Sequence, residues 1–389
     1  MEEAFVYSKP ATGRYFIDRR GDCAALANLF AAGENVALMG APKSGKMSLL
    51  QQVLQEQQLA GKRFLVAEAD LLNVRTRDDF LLALGECVLR AFGSTPGEYS
   101  RIVRDFLKDT HFVFDQRNYA DHDRILSLSW DTDERDVDAL LQLPFRLALD
   151  RDTRLYLVFK NFDSIANAAD WEALLRRFEA VLKDVRSRLE PPRCTAVFVG
   201  GRLNAMREIF LHRRFFLRQV ELYTPSPVDE KYIIEYINKN MLARGKVIDK
   251  NLLFGVCKLF RCEMWYINHF CAVCDHLSKG YIMEPVMLEG LEALIGVHEP
   301  RFNAIMNDLT TFQVNLLRAI LDGNTRFSSS EVIRRYGLNS SANVKRLKDA
   351  LAKKEIVWFD DKDDPHVIDP LFEYWLSSSY FRTSGVYKF

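Results

Sequence analysis

Four short apolar runs in the first half of the chain are each followed by a segment whose apolar positions have helical spacing. The runs cover residues 35–39, 64–67, 155–159 and 194–199. The segments with helical spacing are 47–60, 78–92, 171–189 and 203–210. Strands that alternate with helices of this length are typical of a parallel sheet covered by helices. We therefore predict an α/β domain over residues 1–224.

From Pro225 onward the alternation stops and the pattern predicts helices alone. Those before residue 308 cover 228–243, 250–260, 265–278 and 284–294. Those after it cover 311–321, 329–336 and 341–354, followed by an apolar run at 356–359, an acidic turn at 360–364 and His366-Val367-Ile368. Three helices and a short hairpin are the arrangement of a winged helix-turn-helix. We predict a helical lid domain over 225–307 and a winged helix domain over 308–389.

Composition narrows the class of protein. The chain has 389 residues, 53 Lys+Arg against 53 Asp+Glu, and 48% hydrophobic residues. This balance excludes a disordered chain and a polyanion-coating protein. The first ten residues lack the pattern of a signal peptide, no segment has the apolar length of a membrane span, and seven cysteines are typical of reduced thiols. The prediction is a cytoplasmic protein without a membrane partner.

The strongest motif lies between the first predicted strand and the first helix after it. It fits G-x-x-x-x-G-K and consists of Gly40, Ala41, Pro42, Lys43, Ser44, Gly45 and Lys46. Glycines at both ends let the backbone fold around a phosphate, the amides of residues 43–46 point inward, and the helix N-terminus attracts anions. Lys46 then reaches the β- and γ-phosphates. The alternative is a glycine-containing turn that binds nothing.

The residue after this lysine departs from the usual motif. A Ser or Thr is expected there to hold Mg²⁺, and the chain has Met47, whose thioether is a poor ligand for so hard a cation. Ser48 follows, but one residue along a helix turns the side chain by about 100°. Nucleotide binding tolerates this change better than metal-assisted hydrolysis does.

A second departure follows the strand at 155–159. P-loop ATPases carry there an Asp that supports Mg²⁺ and, in many families, a Glu that activates water, whereas this chain has Lys160 and Asn161. Lys160 cannot hold Mg²⁺, but its ammonium can take over part of the metal's charge neutralisation. Asp163 is the nearest acid, and its position favours a helix cap over a catalytic role.

Several stretches together resemble the prokaryotic, archaeal-type ATPases of the STAND branch of AAA-like P-loop proteins. YFIDR at 15–19 looks like the family's F-x-[GD]-R motif, and GAPKSGKMSLL at 40–50 looks like its G-P-x-x-x-G-K-T-S-L-L. VFKNFD at 158–163, GGR at 200–202 with MREIF at 206–210, and IDPLFEYWL at 368–376 are similar to later motifs of that family. The resemblance implies ATP bound between sheet and lid, with Asp18 and Arg19 near it, in a switch that acts on an oligomer or an effector.

The resemblance also implies an arginine that contacts the γ-phosphate. The local candidates are Arg213, Arg214 and Arg218, for which a solvated basic turn is the alternative. Cys262, His269, Cys271, Cys274 and His276 have metal-like spacing, but they lie on an apolar helical stretch without a zinc knuckle, so buried thiols are favoured and no metal site is predicted.

The last of the three winged-domain helices is basic. It carries Lys345, Arg346, Lys348, Lys353 and Lys354 against Asp349, whereas the wing carries four aspartates and one lysine. DNA binding is therefore an alternative to protein contact on this surface. The sequence favours an ATP- or ADP-binding switch with weak or absent hydrolysis. An active Mg²⁺-dependent ATPase that uses Ser48, Asp70 or Asp163 and a DNA-binding regulator are the alternatives.

Overall fold

A computed structural model describes residues 4–188 and 192–389, in two compact units. The first, here the sheet unit, comprises Gly21–Gly40 and Val53–Pro225. The second, here the helical unit, comprises Met1–Arg20, Ala41–Gln52 and Ser226–Phe389. Residues 41–46 of the phosphate loop thus group with the carboxyl-terminal helices. The division into 1–224, 225–307 and 308–389 stays a prediction.

The sheet unit contains a five-stranded parallel sheet. Its elements, with α2 continuing from the helical unit, are α1 (Arg20–Ala31), β1 (Asn35–Leu38), α2 (Lys46–Leu59), β2 (Leu65–Asp70), α3 (Arg77–Phe92), α4 (Pro96–Phe106), β3 (Phe112–Val113), α5 (Gln116–His122), β4 (Ser127–Leu128), α6 (Glu134–Asp150), β5 (Leu155–Lys160), α7 (Trp171–Arg188), β6 (Cys194–Val199), α8 (Leu203–Arg207) and β7 (Val220–Tyr223). The strand order is β2-β5-β6-β1-β7, so β6 lies between β1 and β5. The predicted parallel α/β sheet is confirmed.

The helical unit carries the remaining elements. They are α9 (Glu230–Ala243), β8 (Val247–Ile248), α10 (Lys250–Leu259), α11 (Met264–Leu277), β9 (Tyr281–Ile282), α12 (Glu284–Asn307), α13 (Thr311–Leu321), α14 (Ser330–Tyr336), α15 (Ser341–Lys353), β10 (Val357–Phe359), β11 (Pro365–Val367) and α16 (Pro370–Trp375). β10 and β11 pair antiparallel after three helices, which is the predicted winged arrangement. Within residues 4–188 and 192–389, no helix is long and apolar enough to span a membrane.

Helix α12 corrects the prediction that a helix ends at Leu294. It continues through Pro300 to Asn307 because apolar residues recur on its inner face, where Phe302 and Met306 are buried in the core of this unit. Proline removes one intrahelical hydrogen bond but does not prevent a helix from continuing when packing compensates. The segment between Gly93 and Arg135 forms α4, α5 and the two-stranded antiparallel sheet of β3 and β4.

Aromatic side chains hold the inner strands of the large sheet to their covering helices. Phe198 on β6 is fully buried, and its ring centroid lies 5.3 Å from that of Phe159 on β5 and 4.6 Å from that of Phe162. Phe216 stacks on it at 5.3 Å. These contacts pack β6 against β5 and against the segments that follow β5 and α8.

We expect Phe198→Ala to lower the free energy of unfolding by about 3–5 kcal/mol, because it leaves a cavity among packed rings. Urea denaturation followed by circular dichroism measures the change. Leu222→Ala is the matched control, since Leu222 is 41% exposed on β7. A loss below about 1 kcal/mol for Phe198→Ala, a value typical of surface positions, would contradict this packing.

Candidate nucleotide-binding site

The phosphate loop has the backbone of an anion cradle. Gly40 has φ 133° and Gly45 has φ 83°, both values that glycine adopts without strain. Lys43 between them has φ 67°, a left-handed backbone conformation that residues other than glycine rarely adopt. A Cβ on Gly45 would also approach the Arg19 guanidinium to 2.7 Å. Both glycines of the motif are therefore required by geometry.

Lys46, the first residue of α2, is directed back over the loop. Its side chain is buried, and Nζ donates to the Ala41 carbonyl oxygen at 2.6 Å and to Ser44 Oγ at 3.5 Å. The ammonium thus lies across the concave side of the loop, where successive amides and the start of a helix favour an anion. This arrangement suits phosphate oxygens.

The segment before α1 contacts the same loop through Arg19, whereas the placement of Asp18 and Arg19 near a nucleotide stays a prediction. Arg19 Nη1 donates to the Ser44 carbonyl oxygen at 2.9 Å, and Asp18 Oδ2 accepts from the amide of Asp229 at 3.0 Å. Both residues have left-handed backbone, with φ 56° and 58°. The structure therefore brings Arg19, Lys43 and Lys46 together, whereas Asp18 binds the amide of Asp229, the residue that caps α9.

The side chains after Lys46 do not offer a hard-cation site. Met47 stands where a hydroxyl is expected, and Ser48 Oγ accepts a hydrogen bond from the amide of Ala11 at 3.0 Å. Ser48 therefore ties the amino-terminal segment to α2. A thioether and an engaged hydroxyl are poor substitutes for the unengaged hydroxyl oxygen that is expected to hold Mg²⁺.

The carboxyl edge of β5 is equally unsuited to a metal. Lys160 Nζ pairs with Glu68 Oε2 of β2 at 3.2 Å, so this ammonium is already neutralised by a carboxylate. Asn161 Nδ2 donates to Asp70 Oδ1 at 2.8 Å, and the same oxygen accepts from the Leu72 amide. The acids at this edge come from the neighbouring strand and are engaged with side chains of β5 and its following turn.

Asp163 is not a helix cap, which corrects the role favoured from the sequence. Its Oδ1 accepts from the Gly201 amide at 2.6 Å, and its Oδ2 accepts from Arg202 Nε at 2.7 Å. The carboxyl is almost fully buried, at 4% exposure. The carboxylate joins the turn after β5 to the turn after β6, because a buried acid needs both charge and hydrogen-bond partners.

These donors do not fit a Mg²⁺ ion of the kind that P-loop ATPases use. The position after Lys46 offers sulfur, the two positions after Phe159 offer an ammonium and an amide, and the nearby carboxylates are paired. A phosphate group fits, since Arg19 and Lys46 supply two cations at the loop and the start of α2 favours an anion without needing a metal.

The first turn of α11 contributes contacts that the sequence did not reveal. The ammonium of Lys43 lies 3.3 Å from the ring centroid of Trp265 and 4.9 Å from that of Tyr266. Burial lowers the pKa of Lys43 to about 8, with a smaller raising effect from Asp369. Burial also raises the pKa of Glu263, against the lowering effects of Arg19 and Lys46. In the sequence, an apolar helical pattern is the only feature of this stretch, and it does not indicate that Glu263 or Trp265 lies near the phosphate loop.

The candidate arginines lie between α8 and β7 of the sheet unit. Arg213 pairs with Glu172 at 3.0 Å and with Glu208 at 2.8 Å, whereas Arg214 and Arg218 are exposed. Cys271 and Cys274 are buried in α11 as predicted. Burial raises the pKa of Cys274 to about 12, so its thiol stays protonated at neutral pH.

Comparison with known proteins finds solved structures that share this fold. The Walker-type ATPase PABY2304 of Pyrococcus abyssi has a TM-score of 0.65 and 15% identity, covering 96% of this chain and 99% of that chain. The ORC2 protein of Aeropyrum pernix has a TM-score of 0.54 and 12% identity in its ADP form, covering 97% and 98%, respectively. The same protein in ADPNP–ADP complexes has a TM-score of 0.53 and 14% identity, covering 95% of this chain and 93% of that chain.

The family model "Probable winged helix domain" matches residues 300–378, which contain α13 to α16 and the β10–β11 hairpin. No curated protein sequence matches the chain significantly. The chain has the fold of archaeal Walker-type ATPases, with a P-loop NTPase sheet, a helical lid and a winged helix domain towards its carboxyl-terminal end.

Proposed function

We propose that this protein binds ATP or ADP at Gly40–Lys46 and acts as a nucleotide-dependent switch with weak or absent hydrolysis. One observation carries the proposal: the phosphate loop and its lysine are complete, while the positions that hold Mg²⁺ and activate water carry Met47, Lys160 and Asn161. Binding draws on amides and cations, whereas hydrolysis needs the groups that are replaced. The partner of such a switch is an effector protein or a second copy of the chain.

Two further points support nucleotide as the ligand. Arg19 and Lys46 place two cations at one loop, which suits the clustered charge of a polyphosphate. The Aeropyrum pernix ORC2 structures, which share this fold, are described as an ADP form and as ADPNP–ADP complexes. ADPNP is an ATP analogue, so nucleotide of this class is the first ligand to test.

The alternative is an active Mg²⁺-dependent ATPase in which Ser48, Asp70 or Asp163 replaces the usual ligands. Each of these oxygens already accepts hydrogen bonds in the protein, from Ala11, from Asn161 and Leu72, and from Gly201 and Arg202. A metal would compete with those bonds for the same groups. This cost favours the switch.

Titration calorimetry with ATP and ADP tests binding, and steady-state phosphate release tests turnover. We expect saturable binding of both nucleotides, and phosphate release close to the background measured without the protein. Robust Mg²⁺-dependent release would support the ATPase alternative instead. No saturable binding of either nucleotide would remove the proposal altogether.

A second candidate function, DNA binding by the winged helix domain, is favoured by two exposed basic side chains on α15. Lys348 pairs with Asp363 and lies 4.3 Å from the Phe359 ring centroid, and Lys354 pairs with Asp308. Lys345 and Arg346 are exposed on the same helix. Asp360 and Asp363 of the wing are engaged internally, since Asp360 accepts from the amides of Lys362 and Asp364. The acidic wing therefore repels phosphate less than its composition indicates.

The double variant Lys345→Ala/Arg346→Ala tests this surface in a duplex-DNA mobility assay over a range of salt. We expect the slope of log affinity against log salt to fall by about 2, as two phosphate contacts are lost. Lys250→Ala/Lys258→Ala removes the same charge from α10 and is the control. DNA binding with an unchanged slope in the first variant would exclude α15 as the contact.

A further inference from the structure

Two cysteine side chains meet at the carboxyl-terminal end of α10, which closes in a Schellman motif. The amide of Cys262 donates to the carbonyl oxygen of Cys257 at 2.9 Å. The amide of Arg261 donates to the carbonyl oxygen of Lys258 at 3.3 Å, and Arg261 has the left-handed backbone that this motif requires, with φ 52°. The residues joined by the longer of these two turns commonly pack against each other, and here both are cysteines.

The two thiols also interact with each other. A hydrogen bond between the side chains raises the pKa of Cys257 and lowers the pKa of Cys262. Burial and the carboxylates of Glu230, Glu263 and Asp229 oppose the second shift but do not cancel it. Cys257 is fully buried, whereas Cys262 is partly exposed. The thiol that is closer to solvent is therefore also the one that ionises more readily, and the thiolate is the form that reacts with oxidants.

Other thiols of the chain lack this combination. Cys271 and Cys274 on α11 are buried, and burial raises the pKa of both. Cys87 in the sheet unit is partly exposed as a residue, but burial of its thiol raises its pKa, and its Sγ donates to the carbonyl oxygen of Leu84 at 3.2 Å. Cys262 therefore differs from each of these thiols in its accessibility or in its ionisation.

We propose that Cys262 is a site of oxidation by hydrogen peroxide and that Cys257 resolves the oxidised form as an intramolecular disulfide. The Cys262 thiolate attacks one oxygen of the peroxide, the O–O bond breaks, and a sulfenic acid forms while the second oxygen leaves as hydroxide, which takes up a proton. The Cys257 thiol then attacks Sγ of Cys262, the S–O bond breaks, and water leaves with the thiol proton. In sum, two thiols lose two electrons and two protons, and one peroxide is reduced to two molecules of water.

The Schellman motif makes this second step local. Its backbone hydrogen bond already joins Cys257 to Cys262, so the disulfide adds a covalent link where the helix end is closed. The link encloses Arg261, whose left-handed backbone it would hold in place. A small-molecule thiol can reverse the reaction by thiol–disulfide exchange, so the site records the oxidation state of its surroundings reversibly.

Peptide mapping of the full chain tests the proposal. The protein is treated with hydrogen peroxide, its remaining thiols are blocked with N-ethylmaleimide, and it is digested with trypsin, which cuts after Lys258 and Arg261. A disulfide at the helix end then joins peptides 251–258 and 262–279. We expect this pair at a mass two hydrogens below the sum of the reduced peptides, with fragmentation placing the bond at Cys262. Dithiothreitol should separate the pair.

Three variants assign the two roles. Cys257→Ser removes the resolving thiol, so dimedone, which traps sulfenic acids, should label Cys262 more than in the wild type. Cys262→Ser should abolish the joined peptides. Cys87→Ser is the matched control, because it removes another partly exposed thiol, and the yield of joined peptides should equal that of the wild type. Circular dichroism checks that each variant is folded.

The wild-type protein alone can overturn the proposal. If N-ethylmaleimide still labels Cys262 fully after peroxide treatment, or if Cys87 is oxidised as readily as Cys262, the site has no special reactivity. If Cys262 is oxidised but peptides 251–258 and 262–279 are not joined, Cys257 is not the resolving thiol. None of these results depends on nucleotide binding, because neither cysteine belongs to the phosphate loop.

Discussion

We expect the replacement of Lys46 by alanine to lower the affinity for ATP by about 100-fold, because charge-assisted hydrogen bonds to phosphate are each worth about 1.5–3 kcal/mol. The side chain is buried over the loop, where its ammonium bridges Ala41 and Ser44. Calorimetric titration in the same buffer compares the variant with the wild type. The effect arises from the loss of a charge at the centre of the proposed site.

Lys62→Ala is the control for this result, since it removes an exposed lysine just beyond α2. Its ATP affinity should match that of the wild type. Circular dichroism shows whether Lys46→Ala retains the fold. If folded Lys46→Ala protein binds ATP with an affinity within threefold of that of the wild type, Lys46 does not hold the nucleotide.

Four substitutions together are expected to create Mg²⁺-dependent ATP hydrolysis. The substitutions Met47→Thr, Lys160→Asp and Asn161→Glu restore the metal-binding and water-activating groups that P-loop ATPases use. A fourth, Glu68→Gln, removes the carboxylate that now pairs with Lys160 and would repel the new aspartate. We expect Mg²⁺-dependent phosphate release to rise by about 100-fold, at the lower end of what a positioned general base contributes.

Met47→Thr alone is the matched control for this variant. It supplies the metal hydroxyl without the acids after β5, so phosphate release should stay near that of the wild type. If the wild type already turns over at the rate of the fourfold variant, and Lys46→Ala abolishes that turnover, the switch with weak or absent hydrolysis is contradicted.

Much of the fold could be predicted because its signals are local. The apolar run at 35–39 followed by the glycine loop and an amphipathic helix defines β1, the phosphate loop and α2, and the strands at 155–159 and 194–199 have equally buried patterns. The end of α12 could not be predicted in this way. Pro300 is a local signal for a helix end, and it is overridden by the packing of Phe302 and Met306.

The candidate site was predictable only in part, for a related reason. The residues of the phosphate loop are adjacent in sequence, so their chemistry is visible without a structure. Trp265 lies more than 200 residues from Lys43, and nothing in its helical pattern indicates that it faces this lysine. The partners of Lys160 and Asp163, namely Glu68 and Arg202, likewise depend on how strands and turns are arranged in the sheet.

Binding of nucleotide at the phosphate loop without the usual metal makes a measurable prediction. Calorimetric titration of the wild-type protein with ATP is run once with Mg²⁺ and once with EDTA. Because Met47, Lys160 and Asn161 replace the hydroxyl and carboxylates that P-loop ATPases use, we expect dissociation constants that agree within about threefold, a difference below 1 kcal/mol. A loss of affinity of two orders of magnitude or more in EDTA would contradict it.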